Sequence, residues 1–83
     1  MSSIILYPLA TEKSIRLMEE HNKLVFVVSP SAKKAQIKKA IESTYKTKVL
    51  RVQTVNTKSQ KRAYITFSKE TPAIDVATAT GIM

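Results

Sequence analysis

The side chains able to do covalent chemistry are few in this sequence, and none stands in a constellation that a reaction needs. His21 is the only imidazole, and it falls at a predicted helix end, where a ring favoured by the helix C-terminus is reason enough for it. There is no cysteine to act as nucleophile, and no serine has a glycine beside it, so a nucleophile elbow cannot be built. Gly81 is the sole glycine, which excludes a Walker loop and a dinucleotide fingerprint. Glu19 and Glu20 are adjacent, but helix neighbours point about 100° apart and do not form a shared site. What remains is cationic. Lys33, Lys34 and Lys38 open a predicted helix, where lysine is unhelpful to the dipole and an external anion supplies a better reason. Arg51 lies mid-strand, and a guanidinium can hold phosphate bidentately. Lys58, Lys61 and Arg62 cluster at a predicted hairpin loop, with no acid from Arg51 through Lys69 to offset them. Tyr64 shares strand parity with Arg62 and Thr66; on an open face such an aromatic can stack on a splayed base, and under a helix it becomes core. The chemistry is recognition of a polyanion.

The charge distribution carries the same message. Fourteen Lys and Arg against six Asp and Glu give a net charge of +8. Residues 1–30 hold three bases and three acids, whereas residues 31–69 hold eleven bases and one acid, Glu42. A cationic half beside a neutral half suggests one face for a polyanion and another for a different partner. A merely soluble basic surface explains the total, but the segregation less well.

These side chains must be positioned by a small body. Eighty-three residues without a Pro/Gly-rich linker make one domain, residues 1–83, whose core buries roughly 60% of the unfolded surface. Without disulfides, stability must come from packing or from a partner that binds the folded form. The apolar run from Ile4 to Leu6 is far too short for a membrane span and lacks a signal peptide's basic start, so an intracellular, soluble, cytoplasmic protein without membrane insertion is expected. No cofactor, metal or small-molecule substrate is expected.

Seven elements are predicted. Ile4 to Tyr7 reads as a strand ended by Pro8; Thr11 N-caps a helix to about His21, with Ile15 and Met18 facing the core and Asn22 closing it. Leu24 to Val28 is apolar at every position, the pattern of a central strand buried on both faces. A second helix, about Ala32 to Tyr45, sets Ile37, Ala40, Ile41 and Tyr45 on one face, with Lys38 able to pair with Glu42 opposite. Val49 to Val55 and Arg62 to Phe67 read as strands of a hairpin with a longer loop between them, Asn56 to Lys61. Thr71 and Pro72 open a last helix through Ala73, Ile74, Ala77 and Thr80 that stops at Gly81. The order β-α-β-α-β-β-α implies an α+β fold: a single domain with a four-stranded, mainly antiparallel sheet packed with two to three helices. Strand order is not legible.

Five segments, in order, resemble the ribosomal protein L23 family. Pro8-Leu9-Ala10-Thr11-Glu12-Lys13-Ser14 resembles its P-x-x-T-E-K-S opening, and Asn22 to Val28 its second strand. Ala32 to Glu42 resembles the A-x-K-x-x-I-K-x-A-x-E helix, Lys61-Arg62-Ala63-Tyr64-Ile65 the K-K-A-Y-V strand, and Ile74 to Ile82 the terminal helix with its L-G stop. Two departures stand out. The family's V-N-T falls on Val52-Gln53-Thr54, with Gln for Asn, although Val55-Asn56-Thr57 repeats the motif. Where bacterial members carry a long basic loop, only Val55 to Lys61 intervene, a pattern similar to archaeal members that lack the eukaryotic basic N-terminal extension. The resemblance implies a non-enzymatic constituent of the large ribosomal subunit, bound to large-subunit (23S) rRNA beside the mouth of the polypeptide exit tunnel, near ribosomal protein L29. It further implies a platform for exit-site factors such as the signal recognition particle, with Glu12 as the docking carboxylate. Lys13 and Thr54, on matched segments, join the cations above and Tyr64 as expected rRNA contacts. The alternative is a free single-stranded RNA-binding module of RRM-like architecture. That module should show an RNP1-like run, which is missing.

Overall fold

A strand that is apolar at every position can be satisfied only between two other strands with cover on each face. Leu24 to Val28 obeys this rule. In the computed structural model, which describes residues 4–80, the elements follow the expected order: β1 (Ile5–Pro8), α1 (Glu12–His21), β2 (Lys23–Val28), α2 (Lys34–Tyr45), β3 (Val49–Asn56), β4 (Lys61–Phe67) and α3 (Ala73–Thr80). The strands form one sheet in the order β1-β2-β4-β3, with every neighbouring pair antiparallel. β2 is interior, and each residue from Leu24 to Val28 is at most 3% exposed.

Register divides the sheet into two faces. Leu24 is opposite Ile65, and Phe26 is opposite Ala63; with Val28, Phe67, Val49 and Val52 they form the core. Ile37 and Ile41 of α2, Ala73, Val76 and Ala77 of α3, and Met18 of α1 pack onto this face, while Ile15 and Tyr45 are partly buried at its margin. Tyr45 lies 6.2 Å from Phe26, ring to ring, and burial raises its phenol pKa. Fully burying a side chain such as Phe26 contributes roughly 1.5–3 kcal/mol.

The structure corrects several local expectations. α2 starts at Lys34 and not at Ala32, because Ala32 is itself buried in the preceding turn and the Lys33 N–H donates to Gln36 Oε1 at 3.0 Å. Glu42 does not pair with Lys38; its Oε2 accepts from the Val49 N–H at 3.2 Å and ties α2 to β3. The hairpin connection is shorter than predicted, only 57–60, because Asn56 and Lys61 pair with each other. Hydrogen bonds between Thr57 and Gln60 close it. α3 buries Ala73, Val76 and Ala77 and leaves Ile74 49% exposed. Its predicted stop at Gly81 lies outside the described residues.

Asn22 does more than close α1. It adopts the left-handed conformation (φ 54°) that asparagine tolerates at a helix C-terminus, and its N–H donates to the Leu17 carbonyl. Its Oδ1 accepts from the Ala73 N–H, so α3 is capped from 51 residues away where Thr71 was the expected local cap. The two Nδ2 protons serve three carbonyls, of Phe67, Ser68 and Thr71, at 3.1–3.2 Å.

Candidate nucleic-acid interface

The second face of the sheet is built of three cross-strand rows; Leu9, Ser14 and Leu17, from α1 and the segment before it, lie against it beside Val25, Arg62 and Tyr64, and it is open over β3. In the first, Thr66 of β4 stands between Lys23 and Arg51. In the second, Tyr64 stands between Val25 and Gln53, and in the third Arg62 stands between Val27 and Val55, with Tyr7 of β1 beyond Val27. Successive rows on one face are roughly 6.6 Å apart, two residues along a strand. Val25 and Val27 are buried, Arg62, Tyr64 and Thr66 are half-buried, and Arg51, Gln53, Val55 and Tyr7 are exposed. None of the four strands contains an Asp or Glu. Five of the six carboxylates lie on helices, and Glu70 lies in the connection before α3. The carboxylates are therefore sorted by layer, whereas the cations are not, with four on strands and five on helices. The expectation of a neutral N-terminal half with its own face is overturned, since β2 inserts Lys23 beside the basic strands.

Arg62 is held in place. The Gln60 amide is assigned by its partners: its oxygen accepts from Arg62 Nε at 2.9 Å and Nη2 at 3.1 Å, which leaves its nitrogen to donate to Tyr7 Oη at 3.2 Å. One edge of the guanidinium is thereby fixed, and its remaining N–H groups can meet a phosphate in the bidentate manner that favours arginine over lysine.

The T-E-K-S segment splits into two pairs with separate tasks. Thr11 Oγ1 accepts from the Ser14 N–H at 3.2 Å, and Ser14 Oγ accepts from the Thr11 N–H at 2.8 Å, a reciprocal cap on α1. The Ser14 hydroxyl proton is left for the Leu9 or Thr11 carbonyl, at 3.0 and 2.9 Å. Glu12 and Lys13 are left exposed between them. Lys13 and Leu17 border the open face beside Tyr64, while Glu12 faces outward, 3.9 Å from Arg16, its side chain 93% exposed.

The structure brings some of the sequence-predicted residues together and disperses others. Lys13, Arg51, Arg62 and Tyr64 share the open face or its rim, and Tyr64 is not part of the core. Lys61 and Arg62, expected as one cluster, point to opposite faces because they are consecutive on a strand. Lys61 Nζ donates to the Ala32 carbonyl at 2.7 Å, anchoring the hairpin base to the start of α2. Lys58 in the turn and Lys33 and Lys34 after Ala32 lie at that same end of the sheet, all exposed. Lys38 is on the outer surface of α2, and Thr54, paired with Ala63 and half-buried, lines the groove beside Gln53, Val55 and Tyr64. Sequence reasoning missed Lys23, Gln53, Gln60 and Tyr7. Strand parity with Val25 marks Lys23, but only knowledge of which strands are neighbours places Gln53 beside Tyr64 and Tyr7 beside Val27. Among the described residues, no helix is long and apolar enough to cross a membrane, and no three His, Asp or Glu side chains gather as a metal site.

A family model described as Ribosomal protein L23 matches residues 3–80. The chain is similar to Large ribosomal subunit protein uL23A of Caenorhabditis elegans, 43% identical over 81 residues, covering 96% of this chain and 55% of the nematode protein. It is also similar to Large ribosomal subunit protein uL23 of Trypanosoma brucei brucei, 41% identical over 81 residues, with coverage of 96% and 49%. A third relative, uL23B of Caenorhabditis elegans, is 38% identical over 82 residues, with coverage of 98% and 56%. The chain thus spans about half the length of the curated relatives it matches, and none of their names is that of an enzyme.

Proposed function

The chain belongs to the ribosomal protein L23 family, and on that premise we propose that it is a structural constituent of the large ribosomal subunit that binds 23S-type rRNA near the polypeptide exit tunnel. The observation that carries the RNA-binding reading is the carboxylate-free open face of the sheet, with Lys23, Arg51 and Arg62 around Tyr64. Lys13 extends this surface at its rim. Lys33, Lys34 and Lys58 extend it at the hairpin end, where Lys61 still has two ammonium protons to offer. Thr54 lines the groove beside Tyr64, and Lys38, on the outer surface of α2, is peripheral. Affinity for structured rRNA should be chiefly electrostatic, with log affinity falling steeply against log salt. Titrating large-subunit rRNA fragments against polyglutamate at matched salt tests this, and equal affinity for the two would sink it. An RRM-like module is disfavoured, because β2 and β4 together present a single aromatic, Tyr64, on the open face.

α1 borders the proposed RNA face through Lys13 and Leu17, and its outward surface is then turned away from RNA. There, α1 offers Glu12 to a cationic exit-site factor such as the signal recognition particle, and ribosomal protein L29 is the expected neighbour. Arg16 already competes for Glu12, though an exposed pair of this kind is worth only about 0–1 kcal/mol. Glu12→Lys ribosomes should incorporate the protein normally and bind the factor less, with recovery when the factor's charge is reversed. Constant binding per incorporated copy would remove Glu12 from the docking surface. The closed turn at 57–60 is too short to enter the tunnel. We also propose the archaeal type for the chain: the short turn sets it apart from the bacterial members, while the relatives matched above are eukaryotic.

A further inference from the structure

We propose that Tyr64 is the floor of a subsite for one unpaired nucleotide of the RNA, its base stacked on the phenol ring and its flanking phosphates held by Lys23 and Arg51 on one side and Arg62 on the other. This rests on the RNA-binding reading above and deepens it. The groove over Tyr64 measures about 400 Å³ and is walled by Leu17 of α1 and Val55 of β3, with Lys13 and Lys23 at its rim and Gln53 alongside. Tyr64 lies in the middle row, with the Lys23–Thr66–Arg51 row on one side and the Arg62 row on the other. A half-buried aromatic between two apolar walls offers a ring face to a flat ligand. The cationic rows on both sides specify that the ligand continues as an anion in both directions. No carboxylate lines the groove. A base within an A-form duplex cannot use such a floor, because its faces are already stacked and its major groove is too narrow for side chains, whereas a bulged or looped-out base can. The Gln53 amide gives one donor and one acceptor edge to that base.

The full chain is to be titrated with oligoadenylate of ten nucleotides and with the same backbone carrying abasic residues, and separately with a large-subunit rRNA transcript. Oligoadenylate should bind about 5- to 150-fold tighter than the abasic strand, the range for one base stacked on an aromatic side chain. Tyr64→Phe should keep that ratio and Tyr64→Leu should bring it to unity, with the salt slope unchanged in both. Lys23→Gln or Arg51→Gln should instead keep the ratio and flatten the slope by about 0.7 each, the value for single strands. Equal binding of the two oligonucleotides by the wild-type chain overturns the subsite, as does a ratio that survives in a folded Tyr64→Leu variant. If that variant fails to fold, the wild-type ratio and the Tyr64→Phe variant decide. Equal displacement of oligoadenylate by polyglutamate also overturns the subsite, in favour of an acidic peptide. If salt-dependent binding of the rRNA transcript persists while the base-dependence is absent, the subsite alone falls; if the transcript does not bind, the RNA reading falls with it.

Discussion

Phe26 and Tyr64 are aromatics on adjacent central strands of the same sheet, yet they belong to different worlds. Phe26 is fully buried among Ile37, Ile41 and Ala63, while Tyr64 stands half-exposed between a lysine–arginine row and Arg62. The pleat separates them, together with the cover that buries Val25 and Val27 on the face of Tyr64 but leaves Tyr64 itself half-exposed. A strand sends successive side chains to opposite faces, so β4, reading Lys61-Arg62-Ala63-Tyr64-Ile65-Thr66-Phe67, delivers Ala63, Ile65 and Phe67 to the core and Arg62, Tyr64 and Thr66 to the open face. One seven-residue segment thereby contributes to the core and to the face proposed to bind RNA. The helices carry most of the carboxylates and five cations as well, whereas the open-face rows carry Lys23, Arg51 and Arg62 without a carboxylate.

The largest expected effect is on the core side. Phe26→Ala should cost about 3–5 kcal/mol of stability in urea denaturation, whereas Thr66→Ala, on the other face, should stay within about 0.5 kcal/mol. Similar costs on the two faces would break the distinction. Next comes the joint between the layers. Asn22→Ala should cost about 2–3 kcal/mol, since it strands the Ala73 N–H and loses a side chain suited to the left-handed cap. Asn22→Gly, which keeps the backbone conformation available, should recover part of that loss.

Binding sharpens the comparison from the other side. In the Arg51→Gln, Arg62→Gln double variant the salt slope of rRNA binding should flatten by about 1.4 to 1.8, with the unfolding midpoint little changed. Lys39→Gln and Lys46→Gln, on the helical layer, should leave the slope as it is. A larger loss from the helical lysines would reverse the assignment of faces. The smallest effect concerns Tyr45. Burial raises its pKa, so the folded state holds the phenol proton more tightly than the unfolded chain does. Its contribution to stability is full below the ordinary value near 10 and is lost as pH rises through the folded value. Alkaline melts should show this decline, and Tyr45→Phe should remove it.

Much of this architecture is legible in the residues. Thr11 and Asn22 mark both ends of α1, as their capping chemistry requires, and the unbroken apolar run from Leu24 to Val28 identifies an interior strand. The 3.6-residue recurrence of Ile37 and Ile41 identifies the buried stripe of α2. These features are local, and local sterics and hydrogen bonding set them. The order β1-β2-β4-β3 is not local. It places Lys23, 41 residues away in sequence, one strand over from Tyr64 and leaves Arg51 on the far side of Thr66. The same is true of Asn22 capping α3, of Lys61 reaching Ala32, and of Gln60 bracing Arg62 against Tyr7. Residue types alone point to a polyanion as the expected partner, because net charge is a sum over the chain. Which cations face it together depends on strand pairing and on which face the helices cover, and only the tertiary structure decides that.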